Sequence, residues 1–99
     1  MATLIIVTGF LATLKTTISL KLSKNLEMLC LNKDTIKEIL VDTIGFNSRQ
    51  ENLKLSNATF QLMKMQAKEM LKLNKNIIIE ANFKPHEMEE LKETFDVNT

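Results

Sequence analysis

The stretch Leu4–Ser19, LIIVTGFLATLKTTIS, decides the fold of this 99-residue chain. It begins with a continuous apolar run, Leu4–Val7, which ends at Thr8-Gly9. A short run that is rich in β-branched residues is typical of a parallel strand buried on both faces. The stretch therefore predicts a buried strand over residues 3–8, then a turn, and then a helix from Thr16 to about Leu26.

The turn matches most of the phosphate-binding pattern G-x-x-x-x-G-K-[ST]. Gly9, Lys15 and Thr16 have the required spacing, whereas Leu14 stands where the pattern has its second glycine. Backbone N–H groups of such a loop bind an anion, helped by the N-terminus of the helix that follows. Lys15 is expected to reach the β- and γ-phosphates of a nucleotide, and the Thr16 hydroxyl to ligate Mg²⁺. The residues expected to bind the cofactor are Gly9, Ala12, Thr13, Leu14, Lys15, Thr16 and Thr17.

A second interpretation of the turn stays open, because an ordinary strand–helix connection can contain a glycine and a Lys-Thr pair. Leu14 is the residue that separates the two interpretations. A loop that cradles phosphate alternates right-handed and left-handed backbone conformations, and a left-handed Leu costs about 1–2 kcal/mol. We expect Leu14 to weaken nucleotide binding by this cost or by crowding, and a rearranged loop would abolish binding.

The remainder of the chain alternates apolar runs with helical patterns. The predicted elements are strands over 27–31 and 77–79, and helices over 34–44, 57–73 and 85–95, with a connecting loop over 46–56. Strands that alternate with helices imply an α/β fold, in which a parallel sheet has right-handed crossovers and helices on both faces. No repeat or change of composition divides the chain, so residues 1–99 are expected to form a single domain.

Polar residues follow each predicted strand, and ligands of such sheets bind at the carboxyl ends of the strands. Thr8-Gly9, Asn32-Lys33-Asp34 and Glu80-Ala81-Asn82 are these three strand ends. Asp34 is expected to be the N-cap of a helix, to act as a catalytic carboxylate that accepts a proton, or to do both. Glu80 would be costly at the end of a buried strand unless it contacts Mg²⁺, water or a cation, and the alternative is a solvated strand end. Asn82 is expected to orient a substrate or to make the turn.

Other reactive or polar residues favour structural roles. His86 is expected at the surface, because no Cys or second His lies near it to complete a metal site. Cys30 and the methionines at positions 63, 65 and 70 are expected in the core. The acidic residues at positions 87, 89 and 90 are expected to form a solvated face near a helix N-terminus.

Composition excludes several classes of protein. The net charge is +1, so no overall field indicates nucleic acid or an anionic membrane as partner. Arg49 is the single arginine among thirteen basic residues, which leaves almost no bidentate phosphate clamp. No apolar run reaches the roughly 18 residues of a membrane span. A single cysteine excludes an internal disulfide framework and fits a reducing compartment, so a cytoplasmic protein is expected.

With these residues in place, the chain resembles the small P-loop kinases of the zeta-toxin and polynucleotide-kinase type, which are often grouped with the AAA-family ATPases. Leu4–Ser19 is similar to the family's strand, Walker A loop and helix. The segment 31–37, LNKDTIK, resembles the segment after strand two, where the family has an Asp followed three residues later by an Arg. The polar stretch 45–52 resembles the loop after that helix, and residues 77–85, IIIEANFKP, resemble the third strand and its ending.

This resemblance implies a three-layer P-loop NTPase core with about three parallel strands in the order 2-3-1. It implies ATP and Mg²⁺ as cofactors and transfer of the γ-phosphate to a hydroxyl acceptor. Lys15 and Thr16 would contact the phosphates and the metal, Asp34 would be the catalytic base, and Lys37, Glu80 and Asn82 would lie toward the substrate.

Four departures from the family pattern predict weak or incomplete catalysis. Leu14 replaces a Gly, Leu11 stands where Pro is common, and Lys37 replaces an Arg, which removes a planar fork of donors. The family continues through further strands and a lid that this sequence is expected to lack, so the chain is interpreted as a truncated, partial domain. The alternative function is a non-catalytic remnant or interaction module that retains the fold.

The same comparison predicts an interaction surface. Strand one of the family has neighbours on both sides, and without strand four one of its edges would expose unpaired backbone and apolar surface. We expect either self-association or a partner segment at this edge.

Overall fold

Three strands and three helices lie wholly within the part of the chain that the computed structural model describes, which is residues 3–8, 24 and 27–95. The strands are β1 (Leu4–Val7), β2 (Leu29–Asn32) and β3 (Ile77–Glu80), and the helices are α1 (Lys33–Ile44), α2 (Arg49–Lys72) and α3 (Pro85–Phe95). The predicted turn after β1 and the predicted helix 16–26 fall outside the described residues, Lys24 excepted.

The sheet is parallel, and β3 lies between the other two strands in the order β1-β3-β2. The predicted order 2-3-1 is therefore confirmed, since it is the same order read from the other edge. Ile78 pairs in register with Ile5 on one side and with Cys30 on the other. Every residue of β3 is buried, whereas those of β1 are half-buried. The expectation of a partner at the β1 edge stays a prediction.

The core lies on one face of this sheet. Ile77 and Ile79 are fully buried and point to the same face, because side chains alternate along a strand. They pack with four buried side chains of the helices, which are Phe60, Met63, Ala67 and Leu91. Met88 and Phe95 of α3 pack against this cluster, as their spacing with Leu91 predicts. The core therefore joins β3 to α2 and α3.

The connecting loop predicted over 46–56 is wrong, because α2 already begins at Arg49. Ser48 is the N-cap, and its hydroxyl oxygen accepts a hydrogen bond of 3.1 Å from the Glu51 backbone N–H. The Glu51 carboxylate in turn accepts from the backbone N–H of Asn47 at 3.0 Å. A Ser followed three residues later by a Glu is a known signal for a helix start. The polar composition of the segment concealed this signal.

Two expectations for the core also need correction. Cys30 is only half-buried at the middle of β2. Met65 is 44% exposed, although Met63 is buried and Met70 packs against the core. Met65 lies two residues from Met63, and positions two apart on a helix face different directions.

No helix among the described residues is long and apolar enough to cross a membrane.

A polar contact joins α2 to α3 at the rim of the core. Glu90 of α3 accepts hydrogen bonds from Lys64 Nζ at 2.7 Å and from Gln61 Nε2 at 2.8 Å. The hydrogen bond from Lys64 is the main cause that lowers the pKa of Glu90, and the one from Gln61 adds to it. The Glu90 side chain is 36% exposed, so solvent screens the pair.

The lowered pKa of Glu90 makes a prediction for the pH dependence of stability. A carboxyl group whose pKa falls on folding stabilises the protein above its unfolded pKa, and this contribution disappears as the pH falls through the folded pKa. Glu90→Gln should therefore lower the free energy of unfolding by about 0.2–1 kcal/mol at pH 7, as for other exposed pairs, and by less near pH 3. Urea unfolding at the two pH values measures the difference. A deficit that grows toward low pH would contradict this assignment.

Candidate functional site

The carboxyl ends of the three strands meet at one edge of the sheet, because the strands are parallel. The end of β1 is joined to the segment after β3 by two hydrogen bonds. The backbone N–H of Ala81 donates to the Val7 carbonyl at 3.1 Å, and the backbone N–H of Phe83 donates to the Thr8 hydroxyl at 3.2 Å. Thr8 is the last described residue before the predicted phosphate-binding loop, which begins at Gly9.

The ring of Phe83 anchors the same segment to the core. It contacts Phe60 of α2 edge to face, with ring centroids 6.0 Å apart and an angle of 67° between the planes. Aromatic pairs in this arrangement stabilise beyond the area that they bury. The backbone after β3 is thus fixed both to β1 and to the helical layer.

A buried carboxylate lies at the end of the central strand. Glu80 is 2% exposed, and its Oε2 accepts a hydrogen bond of 2.7 Å from Asn32 Nδ2 at the end of β2. The two residues are in register and therefore on the same face of the sheet. The alternative of a solvated strand end is wrong, because Glu80 is enclosed. A buried carboxylate needs such a donor to offset the loss of its hydration.

Asn32 also caps α1, so the prediction that Asp34 is the N-cap is wrong. Asn32 Oδ1 accepts from the Thr35 backbone N–H at 3.0 Å and from the Thr35 hydroxyl at 3.3 Å. The cap lies two residues earlier than predicted and the helix begins at Lys33, which leaves Asp34 within its first turn. The amide of Asn32 serves both neighbours at once, since its oxygen accepts from α1 and its nitrogen donates to β3.

Asp34 and Lys37 lie on the first two turns of α1. The Asp34 side chain is exposed and Lys37 is half-buried. They are three residues apart and so lie on one face of the helix. A carboxylate in the first turn is stabilised by the helix dipole. Asn82 is exposed and follows β3 by two residues, so the candidate substrate residues come from two neighbouring strand ends.

A buried ion pair lies behind these strand ends. Lys33 Nζ and Glu87 Oε2 are 3.0 Å apart, and their side chains are 10% and 5% exposed. The other oxygen of Glu87 accepts from the Lys84 backbone N–H at 2.9 Å, which caps the start of α3. The predicted solvated acidic face is therefore wrong for Glu87, although Glu89 is exposed. The three-residue spacing from Lys84 to Glu87 indicates the cap, but nothing in the sequence indicates Lys33 as a partner 54 residues away.

The described residues offer few ligands for a metal ion. Within residues 3–8, 24 and 27–95, no group of three or more His, Cys, Asp or Glu side chains could hold an ion. Mg²⁺ is usually bound through one or two carboxylates plus substrate phosphates. Glu80 can supply such a carboxylate, and His86 is exposed, as predicted. The loop residues Gly9, Ala12, Thr13, Leu14, Lys15, Thr16 and Thr17 lie outside the described part of the chain.

The fold and the sequence are both similar to those of a protein of known structure. The chain is similar to a "putative kinase" from Chloroflexus aurantiacus J-10-fl, with 31% sequence identity and a TM-score of 0.80. The match covers 94% of this chain and 53% of that protein, so the chain spans about half of its length. The α/β architecture with its three parallel strands and flanking helices is thus a kinase-like fold. No protein-family model and no curated protein matches the sequence.

Asn32 has two roles, as the cap of α1 and as the donor to Glu80, and two substitutions distinguish these roles. Asn32→Ala removes the cap of α1, worth about 1 kcal/mol, and the donor to a buried carboxylate, worth about 1.5–3 kcal/mol. We expect a loss of about 2–4 kcal/mol in the free energy of unfolding, measured by urea denaturation.

Asn32→Asp is the matched control. It keeps an oxygen to cap α1 but brings a second carboxylate to Glu80. Like charges at this distance raise the pKa of one group, so the variant should be least stable at neutral pH and recover toward about pH 4. A pH-independent loss would show that the contact with Glu80 contributes little.

Proposed function

We propose that the chain is the nucleotide-binding part of a kinase that uses ATP and Mg²⁺ to phosphorylate a hydroxyl acceptor. The observation that carries the proposal is the Glu80 carboxylate, buried at the carboxyl end of the central strand and held there by Asn32. A buried carboxylate at this edge of the sheet places an oxygen ligand of the kind that Mg²⁺ prefers close to the end of β1.

The place of Glu80 relative to the loop supports this proposal. Glu80 is in register with Val7, the last residue of β1. The loop that contains Lys15 and Thr16 starts two residues after Val7. Lys15 would contact the phosphates, and the Thr16 hydroxyl and the Glu80 carboxylate would supply oxygen ligands, which Mg²⁺ prefers. Bound Mg²⁺ would neutralise charge on the phosphate oxygens.

Asp34 is proposed as the base for the acceptor. Its exposed carboxylate would accept the proton of the acceptor hydroxyl while the acceptor oxygen bonds to the γ-phosphorus and ADP leaves. Lys37 lies on the same helix face and would attract the charge of the incoming phosphate or acceptor. Asn82, at the next strand end, would orient the acceptor. A cytoplasmic location is part of the proposal, since such a reaction needs cellular ATP.

Leu14 is the observation that favours the second candidate, a non-catalytic remnant or interaction module with the same fold. If Leu14 prevents the alternating backbone of a phosphate cradle, the sheet and helices would persist without a nucleotide. The two candidates differ in one measurable property, which is affinity for Mg-ATP.

Calorimetric titration with Mg-ATP tests the proposal. We expect heat of binding from the natural sequence, and loss of binding in Lys15→Ala because the phosphates lose their cation. Lys75→Ala is the matched control, since Lys75 is exposed beside the start of β3, at the opposite end of the sheet. Circular dichroism would verify that both variants are folded. An absence of heat at millimolar Mg-ATP would sink the kinase proposal and favour the remnant.

A second titration examines Leu14 directly. Leu14→Gly removes the cost of a left-handed Leu, about 1–2 kcal/mol, so its affinity for Mg-ATP should rise about 5- to 30-fold. Leu11→Gly is a control within the same loop, because it adds the flexibility of a glycine without restoring the pattern. An equal gain in both variants would show that Leu14 is not the specific defect.

A further inference from the structure

We infer that the buried pair Lys33–Glu87 is a positioning device for the Glu80 carboxylate, and that it acts through Asn32. This inference rests on the proposed function for its consequence, which is Mg²⁺-dependent nucleotide binding. The positioning itself depends only on contacts between described residues.

Two physical effects disfavour a lysine at position 33. It is the first residue of α1, where the helix dipole disfavours a cation. It is also buried, with 8% of the residue exposed, and burying an ammonium group is costly unless it is paired. An apolar residue would fit the same place more cheaply. Positions that break local rules without a local gain are often tied to function.

Glu87 uses one oxygen to bind Lys33 of α1 and the other to cap the start of its own helix, α3. One oxygen contacts Lys33 Nζ at 3.0 Å, and the other accepts from the Lys84 backbone N–H at 2.9 Å. Glu87 is itself 3% exposed. Because its carboxylate is fixed at two points, Lys33 has a fixed partner, and the start of α1 is held against the start of α3.

The ion pair and the Asn32–Glu80 hydrogen bond come from adjacent residues at the end of β2. Asn32 donates to Glu80 on one face of the sheet. Lys33 follows Asn32 directly and reaches Glu87 in α3, the helix that comes after β3 in the chain. The end of β2 is thus joined to the end of β3 by Asn32–Glu80, and the start of α1 is joined to α3 by Lys33–Glu87. The second connection fixes how β2 enters α1, and therefore where the Asn32 amide points.

As a consequence, the Glu80 side chain is held in one rotamer out of the several that a glutamate can adopt. Groups that orient a metal-binding side chain from behind commonly change metal affinity by about 10- to 100-fold when they are removed. Lys33 and Glu87 are not proposed to contact nucleotide or metal.

The double variant Lys33→Met/Glu87→Gln tests the inference. Both replacements are close in size to the natural side chains, and the amide introduced by Glu87→Gln would still offer an oxygen to the Lys84 N–H. Replacing a buried ion pair by neutral groups is often neutral or stabilising, so the fold should persist. The double variant Lys64→Met/Glu90→Gln is the matched control, because it removes an ion pair between α2 and α3 away from the strand ends.

The first readout needs no nucleotide. Hydrogen exchange of the Asn32 side-chain amide, measured by NMR, should accelerate about tenfold in Lys33→Met/Glu87→Gln, since its bond to Glu80 opens more often. The backbone amide of Ile78 should keep its protection, and the control should match the natural sequence at Asn32. A change of less than about twofold at Asn32 would overturn the inference.

The second readout is the Mg²⁺ dependence of ATP affinity. The Lys33→Met/Glu87→Gln variant should keep its affinity for ATP in EDTA, while the concentration of Mg²⁺ that gives half of the Mg²⁺ enhancement rises about 10- to 100-fold. An unchanged Mg²⁺ requirement would contradict the inference. If the natural sequence binds no Mg-ATP, the proposed function fails, and Asn32 exchange alone then decides the positioning claim.

Discussion

The hydrogen bond between Asn32 and Glu80 is the contact on which the edge of the sheet depends. Glu80 ends the strand at the centre of the described sheet, and it is only 2% exposed. Asn32 offsets part of the cost of this burial and at the same time caps α1. One amide therefore couples the register of β2 and β3 to the start of a helix. A substitution of either residue should therefore affect β2, β3 and α1 together.

The segments that follow β2 and β3 are held by contacts at the same edge of the sheet. The segment after β3 is held to β1 by Ala81 and Phe83, and to α2 by the Phe83 ring. No loop separates β2 from α1, because α1 starts at the residue that follows Asn32. Binding residues placed here would lose little conformational entropy when a ligand arrives.

Much of the fold could be predicted from the sequence because the strongest signals are local. Three apolar runs between helical patterns specify parallel strands, and the order of the strands agrees with the resemblance to P-loop kinases. The helix over Pro85–Phe95 was equally clear, since Pro at a first helical position and an apolar stripe agree. Local patterns mislead at Arg49, where polar residues conceal a helix start, and at Asn32, which caps α1 although Asp34, two residues later, is also a typical N-cap residue.

The site was less predictable, because its determinants join residues that are far apart in the chain. Glu80 and Asp34 could be proposed from their places after strands, but neither the burial of Glu80 nor its hydrogen bond with Asn32 follows from a local pattern. Glu87 looked like one of three solvated acids, and only the folded chain brings Lys33 to it. The loop with Lys15 and Thr16 stays a prediction from spacing alone.

The two acidic residues at the strand ends differ in environment, and this difference argues for a division of labour. Glu80 is enclosed and accepts a hydrogen bond from the Asn32 amide, so its carboxylate is held in one place. Asp34 is exposed on the first turn of α1 and is open to a molecule that approaches from solvent. Under the proposed function, the buried carboxylate would bind a cation and the exposed one would accept a proton, so the environment rather than the chemical group would set the role of each residue.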